Sequence, residues 1–231
     1  MRVLVLDTET TGLSKTKILN QDTLDQWPNI VQLSYIVYDL SLNKIENSKD
    51  YIIRVPENII ITKEVSKFHG ITNEISSTKG VLISEVLTEL FCFMKEVDSI
   101  IGHNISFDIN MIKVELLRII YSNQLSNNQQ LKNYKYNLSF IINYKNICCT
   151  LQDSIKFCNI TSINKSGKTY LKYPKLIELH QKLFDSSPNN LHNSYNDVLV
   201  TLRCFMKLKH DVDINDECNS FKEISSQLGI F

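Results

Sequence analysis

Two kinds of apolar spacing alternate along this chain, and their order admits few folds. Residues 3–7 form a short apolar run that ends in acids. Residues 30–39 follow with Val31, Leu33, Tyr35 and Val37 in strict alternation, the pattern of a half-buried strand. Residues 51–55, closed by Pro56, predict a third strand. From 81 to 97 the period changes: Leu82, Val86, Leu90, Phe93, Met94 and Val97 recur at the spacing of an amphipathic helix. Then come a short buried strand at 100–102, a long helix at 105–121 and a last strand at 147–149. Helices at 175–184 and 194–209 close the pattern. Strands followed by interleaved helices and strands predict an α/β fold with a mixed central sheet.

The chain has 231 residues, 43% of them hydrophobic, enough for one compact core and too apolar for disorder. We expect one domain over 1–210, an insertion or long connection at 121–146, and a C-terminal tail at 211–231. Lysine plus arginine equal aspartate plus glutamate at 25 each, which excludes a polybasic protein that holds nucleic acid by bulk charge. Neutrality hides an uneven distribution. Between 116 and 177 nine basic residues face one acid, Asp153, a net +8 that the rest of the chain balances. No apolar run approaches the roughly 18 residues of a membrane span, and the first residues lack a signal-peptide pattern. We therefore expect an intracellular protein, of the cytoplasm, nucleus or a viral factory, with no membrane partner. The six cysteines include no C-x-x-C pair, so free thiols in a reducing compartment are expected.

The chemistry concentrates in acids at element ends. Asp7 and Glu9 stand two apart on a strand, so their carboxylates share a face. Like charges so placed are unfavourable unless a cation or a shared proton lies between them. Asp108 follows Ile101-Gly102-His103-Asn104, where a strand gives way to a helix that Asn104 or Ser106 is placed to cap. Asp197 opens the last long helix, five residues after His192. Five residues on a helix turn through about 500°, so His192 must lie in the preceding loop to meet Asp197 at one site. Four carboxylates and a loop histidine suit two Mg²⁺ or Mn²⁺ ions, which prefer oxygen ligands.

Three segments carry a resemblance to a known family: Leu6-Asp7-Thr8-Glu9-Thr10-Thr11-Gly12-Leu13, His103-Asn104-Ile105-Ser106-Phe107-Asp108, and His192-x4-Asp197. In order and spacing they resemble the motifs of the DEDDh 3′→5′ exonucleases, the DnaQ-like enzymes with an RNase H-like fold. The resemblance implies an RNase H-like mixed sheet flanked by helices and two divalent cations. Asp7 would bridge the two ions; Glu9 and Asp197 would serve the one holding the attacking water. Asp108 would serve the other, and His192 would be the general base. It further implies substrate contacts from Thr10, Thr11, Gly12, Leu13, His69 and Asn104. The implied reaction releases nucleoside 5′-monophosphates from the 3′ end of single-stranded or mispaired DNA. A polymerase or repair protein is the partner class implied. An exoribonuclease would use the same site, since nothing in the sequence reads a 2′-hydroxyl. A non-catalytic nucleic-acid-binding module would have no need of four converging acids.

Overall fold

The computed structural model describes residues 1–122 and 127–231. Along the chain run β1 (Arg2–Thr10), β2 (Ile30–Asp39), β3 (Lys44–Ile52), α1 (Lys63–His69), α2 (Asn73–Lys79) and α3 (Ile83–Met94). They continue as β4 (Ser99–Gly102), α4 (Ile105–Tyr121), α5 (Asn128–Asn143), β5 (Ile147–Cys149), α6 (Thr150–Asp153), α7 (Ile155–Cys158), β6 (Thr161–Ile163) and β7 (Thr169–Leu171). The chain closes with α8 (Leu176–Phe184), α9 (Ser194–His210), α10 (Ile214–Glu217) and α11 (Asn219–Gln227). Five strands form one sheet in the order β3-β2-β1-β4-β5. β2 is antiparallel to β1 and β3, whereas β4 and β5 run parallel to β1 and to each other. This is the mixed sheet flanked by helices that the sequence predicts.

Strand periodicity divides the core. Leu4 and Leu6 of β1 join Leu33, Tyr35 and Val37 of β2 on the face covered by α3 and α4. Val3 and Val5 join Ile36 and Tyr38 on the opposite face, against Val198, Leu199 and Leu202 of α9. β2 is therefore buried on both sides up to Ile30–Tyr38, not half-buried as its alternation implies. Its intervening positions are themselves partly apolar, and α9 covers them. Adjacent Cys148 and Cys149 part to opposite clusters, as neighbours on a strand must.

Other expectations are corrected. The third strand lies at Lys44–Ile52 rather than 51–55; only Ile53 continues, bridging Val81. It is a polar edge strand, of the kind that discourages pairing with another sheet, so it carries little hydrophobic signal. Residues 147–149 are not the last strand, because β6 and β7 form a separate two-stranded ribbon. Within 121–146, positions 123–126 lie outside the described residues, and Asn128–Asn143 is a helix packed on α4. Residues 211–231 place Ile214, Cys218, Phe221 and Ile230 in the second cluster. Among the described residues no helix is long and apolar enough to cross a membrane.

Candidate active site

β1 delivers its two acids to the α9 side of the sheet. Asp7 and Glu9 continue the row of Val3 and Val5, and after a register shift between Glu9 and Thr10 the pairing with β2 closes at Thr10 opposite Ile30. Asp197 comes from the first turn of α9. Two contacts hold that turn against the sheet: Ser194 donates its hydroxyl to the Asp7 carbonyl at 2.6 Å, and its amide donates to Gln32 Oε1 at 3.2 Å. Asn193 caps the helix, accepting from the amides of Tyr195 and Asn196. As a result one carboxylate oxygen each of Asp7, Glu9 and Asp197 lies within 4.8 Å of the others.

The electrostatics of the trio call for a cation. Burial pushes Asp7 up to about 7, with the Ser194 hydroxyl working against it. Burial, then the charge of Asp7, pushes Glu9 up to about 8. Asp197 rises to about 9 through burial and the charges of Asp7 and Glu9. Its Oδ1 is buried with no hydrogen-bond partner among the described residues. Three carboxylates in so small a volume, one oxygen orphaned, match the donor set of a hard divalent ion.

Asp108 approaches from the other face. It is buried in the first turn of α4 and accepts two hydrogen bonds through Oδ1, from the Thr8 amide at 2.9 Å and the Thr8 hydroxyl at 2.7 Å. Burial, followed by the charge of Asp7, holds its pKa well above the ordinary value. It therefore stands next to Asp7 without joining the three-way cluster. Gly102 makes this approach feasible: a Cβ there would lie 2.7 Å from Ile105 Cδ1 and 3.1 Å from the Leu6 carbonyl. Asn104 sits at the N-cap of α4 with φ 70°, yet its side chain makes no capping hydrogen bond, correcting that expectation; nor does Ser106 cap the helix, its hydroxyl turning instead to Asn104 Oδ1 at 3.5 Å.

His192 lies in the loop before α9, as the helical geometry requires, with φ 69°. Its ring is exposed and meets Phe68 edge-on at 6.2 Å between centroids. It lines a cavity of about 650 Å³ that Asp197 also lines.

The remaining candidates surround the end of β1. Thr10 donates its hydroxyl to the Gly12 carbonyl at 2.7 Å. Thr11 is tied to Asn29 twice, its amide donating at 2.9 Å and its hydroxyl accepting at 3.0 Å. Gly12 adopts φ 150°, which side-chain-bearing residues rarely adopt. Leu13 is 85% exposed, so it is no core leucine. Thr11, Gly12 and Leu13 line a second cavity, of about 610 Å³, with Trp27, Asn29 and Arg118. His69 is buried, its Nδ1 accepting from the Ile71 amide while Nε2 has no hydrogen-bond partner among the described residues.

Several contributors escape sequence reasoning. Thr8 and Ser194 act through contacts spanning 100 and 187 positions, which no local pattern announces. Arg118, visible in the sequence only as charge, donates to the carbonyls of Leu24, Trp27 and Pro28 and pairs with Glu115 at 2.7 Å. It fixes one wall of the cavity beside Leu13.

Residues 4–205 match the exonuclease family designated RNase T. DNA polymerase III subunit epsilon of Buchnera aphidicola subsp. Schizaphis graminum is 31% identical over 116 residues, 49% of this chain and 45% of that protein. Escherichia coli exonuclease I, solved with a dT13 oligonucleotide, superposes with a TM-score of 0.60 at 17% identity over 91% of this chain and 42% of its own. Exonuclease I from Methylocaldum szegediense gives 0.59 at 17%, covering 93% and 42%. Cell-death related nuclease 4 gives 0.58 at 16%, covering 91% and 64%. The chain thus spans less than half the length of the epsilon subunit and the exonuclease I chains.

Proposed function

Because the chain belongs to the RNase T exonuclease family, of the DnaQ-like kind, we propose that it is a metal-dependent 3′→5′ exonuclease removing nucleoside 5′-monophosphates from single-stranded or mispaired DNA ends. The observation that carries this reading is the convergence of Asp7, Glu9 and Asp197 within 4.8 Å. We assign the exonuclease unit to residues 1–210, with 211–231 packed behind it.

Asp7, Glu9 and Asp197 would hold a divalent ion, and Asp108, braced by Thr8, would help hold a second beside Asp7. The chemistry supplied by Mg²⁺ or Mn²⁺ bound there is charge stabilisation of the attacking and leaving oxygens in an in-line displacement. His192 accepts the proton of the attacking water from its place on the cavity rim. An imidazole nitrogen with a free lone pair is a suitable acceptor for that proton. The cavity beside Thr11, Gly12 and Leu13 receives the terminal nucleoside, with Leu13 packing against its base. Thr10 and His69 shape the turn behind it, and Asn104 faces the strand from the start of α4.

The test is a digestion panel with Mg²⁺ or Mn²⁺ on 5′-labelled single-stranded DNA, single-stranded RNA, and duplexes with a paired or a mispaired 3′ end. Stepwise shortening of DNA from the 3′ end is expected, abolished by EDTA. Cleavage of RNA alone would make the chain an exoribonuclease; full activity in EDTA would end the metal-dependent reading.

A further inference from the structure

The ribbon formed by β6 and β7 belongs neither to the central sheet nor to the core. Ile163, Tyr170, Leu171 and Tyr173 are 69%, 48%, 41% and 61% exposed. Between positions 154 and 177 there are five lysines and no acid. Lys172 pairs with Glu178 at 2.6 Å, whereas among the described residues Lys165 and Lys168 form no ion pair and are exposed.

This ribbon is held at both ends. At its tip Asn164 Oδ1 accepts from the amides of Ser166 and Lys168 and from the Ser166 hydroxyl, while Gly167 takes φ 80°. At its foot Pro174 is buried, and its carbonyl lies 3.0 Å from His103 Nε2. A carbonyl can only accept, so Nε2 carries the proton and Nδ1 is free to accept from the Thr150 hydroxyl at 3.0 Å. His103 thereby ties the foot to the β4–α4 turn that leads to Asp108. The 650 Å³ cavity joins the two regions: Tyr173, Pro174 and Leu176 form one wall, and Leu191, His192 and Asp197 the other.

We propose that the β6–β7 ribbon is the surface along which a single-stranded polynucleotide lies upstream of the nucleotide held at the acids, with Lys165 and Lys168 on its phosphates and Tyr170 stacked on a base. Unpaired lysines interleaved with exposed aromatics complement a strand that presents charge and π-faces together, and such contacts tolerate any sequence. The cavity carries the strand from ribbon to acids. An apolar protein surface would meet only the aromatic and aliphatic side chains and would leave the lysines without counter-charge, whereas a polynucleotide matches both along its whole length. The inference rests on the exonuclease reading.

It is tested by the initial rate of 3′-nucleotide release from 5′-labelled deoxyoligonucleotides of two to twelve residues with one common 3′ end, in Mg²⁺ across a salt series. For the wild type, KM is expected to fall with length beyond the dinucleotide. In Lys165→Ala/Lys168→Ala/Tyr170→Ala the KM for the twelve-residue strand should rise by about tenfold or more. The log–log salt slope should flatten by about 0.7 for each lysine removed. Lys165→Arg/Lys168→Arg/Tyr170→Phe should restore both, and the single exposed change Lys168→Glu should show the same trend even if the triple variant folds poorly. An unchanged KM and slope would overturn the proposal, and a ribbon that binds another protein gives that result. A KM raised equally for the dinucleotide would also overturn it, since the ribbon would then not read length. Failure of the wild type to cleave any strand strikes the exonuclease reading itself, before a variant is made.

Discussion

Three carboxylates that share one small volume set the behaviour of the metal-free protein. Asp7, Glu9 and Asp197 are held at about 7, 8 and 9, above the ordinary values of 3.8, 4.5 and 3.8. Their protonated forms are thus the ones the fold favours, and the unfolded chain ionises them earlier. Their contribution to stability is present below about pH 4 and is lost as pH rises towards 9. Thermal melts in EDTA should fall between pH 7 and 9, and Asp197→Asn should flatten that fall. Mn²⁺ should reverse it in the wild type by linkage; at about 100 times its Kd the gain is about 2.7 kcal/mol. A wild-type melt insensitive to both pH and Mn²⁺ would contradict the cluster. Asp7→Asn should abolish hydrolysis with the fold intact. His192→Ala should retain metal and strand binding while kcat drops by about 10²–10⁴, the scale of a positioned acid–base group. The check is a pH–rate profile at saturating Mg²⁺, in which the variant should lack the acidic limb of the wild type. Equal turnover and the same limb would remove His192 from the reaction.

Elements bring these groups together, and the two motif-bearing junctions differ in how firmly they are set. Thr8 is the joint between β1 and α4, because both of its donors serve the buried Asp108 carboxylate. Thr8→Val removes one bond while keeping shape, and should cost about 1–3 kcal/mol in urea unfolding, the penalty for an unsatisfied buried group. Activity should fall with it, because Asp108 would lose its bracing. The helices and strands with clear apolar periods were legible: α4 spans Ile105–Tyr121 and β5 Ile147–Cys149, as their sequences imply. So were the same-face pairing of Asp7 with Glu9 and the loop position of His192, since both follow from residue geometry alone. β3 was not, because an exposed edge strand such as KIENSKDYI is selected for polarity. α1 and α2, seven residues each, bury too few side chains to show a period. The β6–β7 ribbon lacked a core-facing side altogether. The bracing contacts of Thr8, Ser194 and Arg118 depend on residues brought close only by the completed fold.

At the scale of the whole molecule, α9 serves two regions. Its first turn carries Asp197, and further along Arg203 makes a two-pronged bond to Asp213, at 2.8 and 2.6 Å, with its guanidinium between the rings of Phe184 and Phe231 at 4.1 and 4.3 Å. His180 completes the arrangement. Its Nδ1 faces the Ser186 carbonyl at 2.8 Å and so carries the proton, leaving Nε2 to accept from Arg203 at 3.2 Å. Burial lowers its pKa below 6.5, and burial takes His103 down to about 4. Both are neutral in the fold, so their contribution to stability declines as pH falls below about 6.5, through proton uptake on unfolding, and offsets part of what the acid cluster gains over the same range. Arg203→Lys should lower the melting temperature, because an ammonium reproduces neither the fork nor the stacking. Phe221→Ala in α11 should cost about 3–5 kcal/mol, as for a large buried aromatic. The shared helix has a consequence for heredity. A nonsense allele that stops translation just after α9 would delete none of the acids, yet its product would lose the packing that keeps α9 seated and with it the position of Asp197. Carriers would show the phenotype of a missing ligand from a lesion that lies in no acid's codon, and a second-site suppressor would be sought in the α8–α9 contact rather than among the acids.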